Sequence, residues 1–231
     1  MATRLIKLAL GFAVLLAVPL ASAAKAPLSG AKGTEGTKGA AQILVDARGA
    51  MDHLKDFHVL GKANEGTTAV KLNVTMSPHG GGGTIGLPGV TMQIVVASKS
   101  VYIKADQKSW LKLTGSKATA QLVANRWIKA ARSNPDFADF AKLAVSTSFI
   151  AQLTTGGALS KLPGTSSWQG RKAVVLADGK GGRLYVADTG APYMLHLQGS
   201  HGETSGSMSF SDFGDAPMPS VPTHVITLPS A

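Results

Sequence analysis

An α+β domain carrying a strongly curved antiparallel sheet is what this sequence predicts. Apolar and polar residues alternate along many short segments, and the gaps between those segments are too short for helical crossovers. Two stretches switch to helical spacing, one ahead of the first strands and one in the middle of the chain. The expected order is a helix, about five strands, a helical insertion, about five more strands and a Pro-rich tail.

The chain opens with Arg4 and Lys7 ahead of an almost wholly apolar run from Leu8 to Leu20, and Ala21-Ser22-Ala23 supplies the small residues of a cleavage site. Residues 1–23 therefore read as a signal peptide cleaved after Ala23, placing the protein outside the cytoplasm, secreted or in the cell envelope. None of the 231 residues is cysteine, so neither disulfides nor a lipid anchor is expected and the body folds by burial alone. Residues 24–40 hold Gly, Lys, Thr and Ala with little to bury, a flexible Gly/Lys-rich linker. One domain over 41–215 follows, long enough to bury most of its apolar surface. Without the signal, 21 basic and 13 acidic residues leave a charge of +8. This balance fits plain solubility as well as weak attraction to an anionic membrane surface or cell wall. No basic run interleaved with aromatics points to nucleic acid.

Within the domain, Ile43, Leu44, Ala47, Met51, Leu54 and Phe57 recur at three- and four-residue spacing, an amphipathic helix ending near Asp56. Val70, Leu72, Val74 and Met76 then alternate with Lys71, Asn73 and Thr75, the mark of a half-buried strand. Asn64-Glu65-Gly66 reads as the hairpin turn before it and Pro78–Gly83 as a flexible loop after it. Further strands are expected over Thr84–Leu87, Val90–Ala97, Val101–Ala105 and Trp110–Leu113. Ser116–Ala124 suits a short helix, and Arg126-Trp127-Ile128-Lys129 a strand. Asn134-Pro135-Asp136 starts a helix bearing Phe137, Phe140, Leu143, Phe149, Ile150 and Leu153, which stops at Gly156-Gly157. Hairpin strands follow at Ser166–Trp168, Lys172–Ala177, Arg183–Ala187, Tyr193–Gln198 and Ser205–Ser211. Residues 216–231, with Pro217, Pro219, Pro222 and Pro229, form an extended arm on the surface.

No motif carries chemistry by itself. The six histidines share no metal-ligand spacing, and His196 with His201 spans an expected turn, so no metal and no cofactor is expected. No Gly-x-Ser-x-Gly elbow occurs, and Gly80–Gly83 lack the Lys-Ser/Thr of a phosphate loop and read as a hairpin loop. Asp52 and Asp56 read as a solvated helix stripe, Asp136 and Asp139 as helix N-terminal charges. No carboxylate pair is laid out like a glycosidase dyad, and a non-enzyme is expected. What stands out is apolar: large aliphatics, four strand methionines (Met76, Met92, Met194, Met208) and a Phe-rich helix. Each residue read alone is core material; together the methionines fit an adaptable pocket.

The order of several short segments resembles a known family. These are Ser100-Val101-Tyr102-Ile103-Lys104, Asn125-Arg126-Trp127-Ile128-Lys129, Gly182-Arg183-Leu184-Tyr185-Val186-Ala187, Gly190-Ala191-Pro192-Tyr193 and Met208-Ser209-Phe210-Ser211-Asp212-Phe213-Gly214. They resemble the LppX/LprG-like lipid-carrier lipoproteins of mycobacteria and their relatives, which share a half-barrel with the LolA/LolB carriers. The resemblance runs over about 42–221. It implies an α+β, strongly curved antiparallel β half-barrel with helices on the concave side and a hydrophobic cavity between them. Such proteins bind acylated lipids or glycolipids and pass them across the envelope. Members are anchored through an acylated cysteine after the signal, where this chain reads Ala21-Ser22-Ala23-Ala24.

The function expected is binding or transfer of a lipid or lipid-linked glycan. Its acyl chains would lie against Leu72, Val74, Met76, Met92, Ile94, Val96, Leu195, Leu197 and Phe210 on the sheet and Phe140, Phe149 and Ile150 on the helix. The alternative is a non-catalytic cell-envelope binding or sensing domain with a solid core.

Overall fold

The computed structural model describes residues 35–65, 68–153, 158–201 and 204–228. The expected signal peptide, its cleavage site and Gly156-Gly157 lie outside the described residues.

The helical spacing after Gly39 produces α1 (Ala40–Asp52), which buries Ile43, Leu44, Ala47, Ala50 and Met51 along one face. It stops at Asp52 and not near Asp56, and Phe57 already opens a strand the sequence reading had not separated from the helix. Five strands then follow without a helical break: β1 (Phe57–Glu65), β2 (Thr68–Ser77), β3 (Gly80–Leu87), β4 (Val90–Ala97) and β5 (Ser100–Ala105). A helical hairpin, α2 (Gln107–Thr114) and α3 (Lys117–Val123), leads to β6 (Trp127–Ala131). Two short helices, α4 (Ala138–Lys142) and α5 (Ser146–Leu153), precede β7 (Ser160–Lys161), β8 (Ser166–Trp168), β9 (Arg171–Ala177), β10 (Arg183–Ala187), β11 (Met194–His201) and β12 (Thr204–Ser211). The last strand is β13 (Val225–Thr227).

All the strands join one sheet in the order β13-β6-β5-β4-β3-β2-β1-β12-β11-β10-β9-β7, with β8 also on β9. Every pairing is antiparallel except the parallel β13–β6 edge. The sheet is strongly curved, and residues as far apart along it as Ile128 on β6 and Leu176 on β9 share one core with α1, α4 and α5. From β6 to β9 is roughly 40 Å of strand spacing, and a helix is about 10 Å across. One helix cannot cover such a face, so separate helices from two parts of the chain fill the concavity.

Three expectations give way here. Trp110–Leu113 is helix and not strand: the Asp106 carboxylate caps the Ser109 N–H at 2.7 Å, and Gly115 at φ 72° closes α2 in the left-handed region. The single helix expected from Asn134-Pro135 onward begins only at Ala138 and is broken at 143–145, because Val145 leaves the helical path to bridge Ser77 of β2. Gly80–Gly83 are strand and not loop. A Cβ at Gly81 would meet the carbonyl oxygens of Thr75 and Ala144, the latter at 2.7 Å, and one at Gly82 would lie 2.9 Å from Pro219. The glycines thus let the sheet accept the α4–α5 connection on its inner side and the C-terminal arm on its outer side.

The described residues at both ends of the domain are engaged with the sheet. Within the expected 24–40 linker, Glu35–Thr37 forms a 3-10 turn, where the Glu35 and Gly36 N–H groups bond to the carbonyl and carboxylate of Asp188. Asp56 is buried rather than part of a solvated stripe. Its carboxylate accepts the Ala216 N–H at 2.7 Å and its carbonyl the Gly214 N–H at 2.7 Å. From this pin the Pro-rich arm runs to β13, and the outward residues Thr75, Val95 and Tyr102 are buried in its path. Among the described residues, no helix is long and apolar enough to cross a membrane.

Candidate functional site

Strand register turns the alternating pattern into continuous apolar rows on the concave face. One row runs Phe210–Val59–Val74–Gly83–Ile94–Ile103–Ile128 across neighbouring strands. A second runs Leu176–Leu184–Leu197–Met208–Gly61–Leu72–Ile85–Met92–Ala105. A third, Phe57–Met76–Gly81–Val96–Val101–Ala130, lies beside the first. No charged or amide side chain interrupts any of them. Facing the rows are Ile43, Leu44, Ala47 and Met51 of α1 and Phe140, Phe149, Ile150 and Leu153 of α4 and α5, all buried in the same core.

Eleven of the twelve residues expected to line a cavity meet in this core: Leu72, Val74, Met76, Met92, Ile94, Val96, Phe140, Phe149, Ile150, Leu197 and Phe210. Leu195 does not. Between β10 and β11 the register shifts after Tyr185, so Tyr185 pairs with His196 and Val186 with Met194. The extra residue rotates Leu195 to the convex side, where it packs with Ala173 and Ala187 under Trp168, Tyr185, Tyr193 and Phe213. The α1 side chains that share this core, Met51 among them, were not among the residues expected to face the sheet there, although their spacing was already visible in the sequence.

The roof over the core is made of short pieces. Phe149 donates its N–H to the Val145 carbonyl at 3.0 Å, so α5 begins at the point where the chain leaves its bridge to Ser77. Ser146, at the start of α5, is 1% exposed, and its hydroxyl has no hydrogen-bond partner among the described residues.

On the convex side, His196 stacks on Trp168 with ring centroids 3.6 Å apart, and Nδ1 lies 3.1 Å from the Ser209 hydroxyl. Burial lowers its pKa from the ordinary histidine value. The side chain of His201, weighed with His196 as a metal pair, lies outside the described residues. Among the described residues, no cluster of three or more His, Asp or Glu side chains is gathered to hold a metal. The other polar cluster is a clamp on the chain's entry. Lys38 bonds to Glu35 at 2.7 Å and Asp46 at 2.6 Å, and Lys161 donates to the Gly36 and Lys38 carbonyls. The Asp46 and then the Glu35 hydrogen bond raise the Lys38 pKa. This cluster has a structural task, fixing residues 35–38 to the sheet edge.

No protein-family model matches the chain, and no curated protein matches it. Among solved structures, LprF from Mycobacterium bovis aligns with a TM-score of 0.50 at 15% identity, covering 78% of this chain and 95% of LprF. Lipoprotein LppX of Mycobacterium tuberculosis aligns with a TM-score of 0.46 at 14% identity, over 78% of this chain and 98% of LppX. A LolA superfamily protein from Nitrosomonas europaea aligns with a TM-score of 0.27 at 9% identity, over 79% of this chain and 96% of that one. The likeness to LprF establishes the fold. The half-barrel that the sequence resemblance implied is the architecture this chain adopts.

Proposed function

We propose that this LprF-type half-barrel is an extracytoplasmic carrier that holds the acyl chains of a lipid or lipid-linked glycan between its concave face and the α1, α4 and α5 roof. The observation that supports this most is the set of unbroken apolar rows, the longest crossing nine strands with aliphatic, Met, Gly and Ala positions alone. The α4 and α5 part of that roof, helices with 5 and 8 residues, has no stability apart from the sheet beneath it. Its contact with that sheet is apolar and non-directional, so an acyl chain offers the same surface in exchange. Each buried methylene contributes about 0.8 kcal/mol, so a long chain offsets the separation of a few roof side chains. Met51, Met76, Met92, Met194 and Met208 line the interior and adapt their unbranched side chains to a displaced roof. A freely released or wall-associated protein is the form proposed for this chain, and it is proposed to be non-catalytic.

Brominated stearate gives a direct test, because bromine quenches a nearby indole. Trp110 sits in the main core, whereas Trp168 belongs to the convex cluster. In a Trp127→Phe, Trp168→Phe background, saturable quenching of Trp110 is expected. A flat titration against active carrier controls would refute acyl binding.

A second reading, a non-catalytic cell-envelope binding or sensing domain with a solid core, is favoured by one observation. Met76, Ile94 and Ile150 are each 0% exposed, as in a core that side chains alone fill. The same titration separates the two readings.

A further inference from the structure

The chain's positive charge is not spread evenly. Between residues 57 and 133 there are ten basic residues and two acidic ones, Glu65 and Asp106. That block therefore carries +8 of the +10 formal net charge of the whole sequence. In the fold it is β1 to β6 with the α2–α3 hairpin. Lys62 and Lys71 are direct cross-strand partners on the outer side of β1 and β2, both exposed. Like charges placed opposite each other weaken a sheet, so this pair is not explained by stability.

The α2–α3 hairpin adds a second feature. Its inner side, Trp110, Ala120 and Val123, is buried in the main core. Its outer side exposes two leucines, Leu111 at 43% and Leu122 at 64%. Lys108 and Lys112 stand on the same face of α2 as Leu111, and Lys117 is exposed at the start of α3. Arg126, also exposed, reaches back to the Leu122 carbonyl at 3.5 Å. Among the described residues, none of Lys62, Lys71, Lys108, Lys112, Lys117 and Arg126 forms an ion pair. The nearby Asp106 carboxylate is engaged in capping Ser109.

A lone exposed leucine needs no explanation. Two exposed leucines among four exposed cations on this hairpin match the chemistry of an anionic bilayer: headgroups accept the ammonium and guanidinium charges while the leucine tips enter the acyl boundary. We infer that the α2–α3 hairpin is a membrane-docking surface, seated on anionic phospholipid through Lys108, Lys112, Lys117 and Arg126 with Leu111 and Leu122 inserted. A polymeric anion would neutralise the cations but offers the leucines no apolar phase. The inference does not rest on acyl-chain binding, because charge and tips act whatever the core contains.

The absence of cysteine makes the test clean, since a single introduced thiol can be labelled at one site. The full mature protein carrying Leu122→Cys with an environment-sensitive fluorophore is mixed with phosphatidylglycerol-containing phosphatidylcholine vesicles. A blue shift is expected, together with co-flotation that weakens as salt rises. The same label at Lys180→Cys, in the exposed β9–β10 turn, is expected to stay water-like. Replacing Lys108, Lys112, Lys117 and Arg126 by Gln should weaken flotation of the unlabelled protein on the order of 100-fold or more. Leu111→Ser with Leu122→Ser should reduce it further at constant charge. All of these positions are exposed, and circular dichroism checks that each variant is folded. No flotation at low salt, flotation undiminished by the charge variant, or binding to heparin without binding to vesicles would each overturn the inference.

Discussion

His196 shows how much a single position can carry. It is 4% exposed between Trp168 and Ser209, and burial holds its pKa below the usual value, so folding favours the neutral ring. The unfolded chain then binds more protons once the pH falls below about 6.5. Stability should be level at neutral pH and above, fall as the pH drops through about 6.5, and level off below the depressed folded pKa. His196→Phe keeps a stacked ring without the titration, and thermal melts across that window should show the acid loss diminished. Asp56 is the second such residue, because its carboxylate accepts the Ala216 N–H and so ties the C-terminal arm to the start of β1. Asp56→Ala leaves that buried donor unpaired, at a cost of about 1–3 kcal/mol. Urea unfolding should register the loss, and amide exchange at Val95 and Tyr102, which the arm shelters, should quicken. Neither role is written in the sequence. His196 is an ordinary strand residue until the β10–β11 register shift puts it beside Trp168, and Asp56 continues a helical spacing that the chain has already abandoned.

Among the elements, β3 is where sequence and structure part most instructively. Four consecutive glycines have no side chain to bury and a high entropic cost of ordering, so a loop is their default. Here backbone crowding on both sides reverses that default, with Ala144 against Gly81 and Pro219 against Gly82. Gly80 and Gly83 also take φ of 156° and 155°, which side-chain-bearing residues rarely adopt. Gly81→Ala should therefore destabilise the fold by about 1–3 kcal/mol and raise protease sensitivity first within α4 and α5. If cleavage there stays as slow as in the parent, the close approach is not what seats the roof. The strands themselves were readable because a period of two survives any tertiary arrangement: β2, β4, β9 and β10 fall within a residue or two of expectation. Helix α2 was misread because Trp110-Leu111-Lys112 alternates like a strand over three residues. The deciding signals were its ends, Asp106 as cap and Gly115 as stop. The break at 143–145 was not readable, since it is imposed by a bridge to Ser77 far away in sequence.

For the whole molecule, the side chains that share the concave core were largely legible, and the borders of that core were not. Alternation identifies which residues of each strand turn inward, and eleven of the twelve named residues do share the concave core. Pattern alone cannot show a bulge, so Leu195 was assigned to the wrong side, and it cannot show which helix completes the roof, so α1 was left out. The resulting picture is a curved wall with an apolar inside, a roof of short helices and two docked tails. Its cationic helical hairpin lies at the end of the wall where β5 leads into α2. A carrier needs such an interior to exchange contents, and that is the claim to test most directly. The protein should be purified from its own host without detergent and introduced intact into a native mass spectrometer. Adducts of lipid mass that are released on collisional activation, and identified by lipidomics as acylated lipid or glycolipid, are the expected result. A bare polypeptide mass under conditions that retain lipid on a known carrier would contradict the account and leave the interior as a filled core.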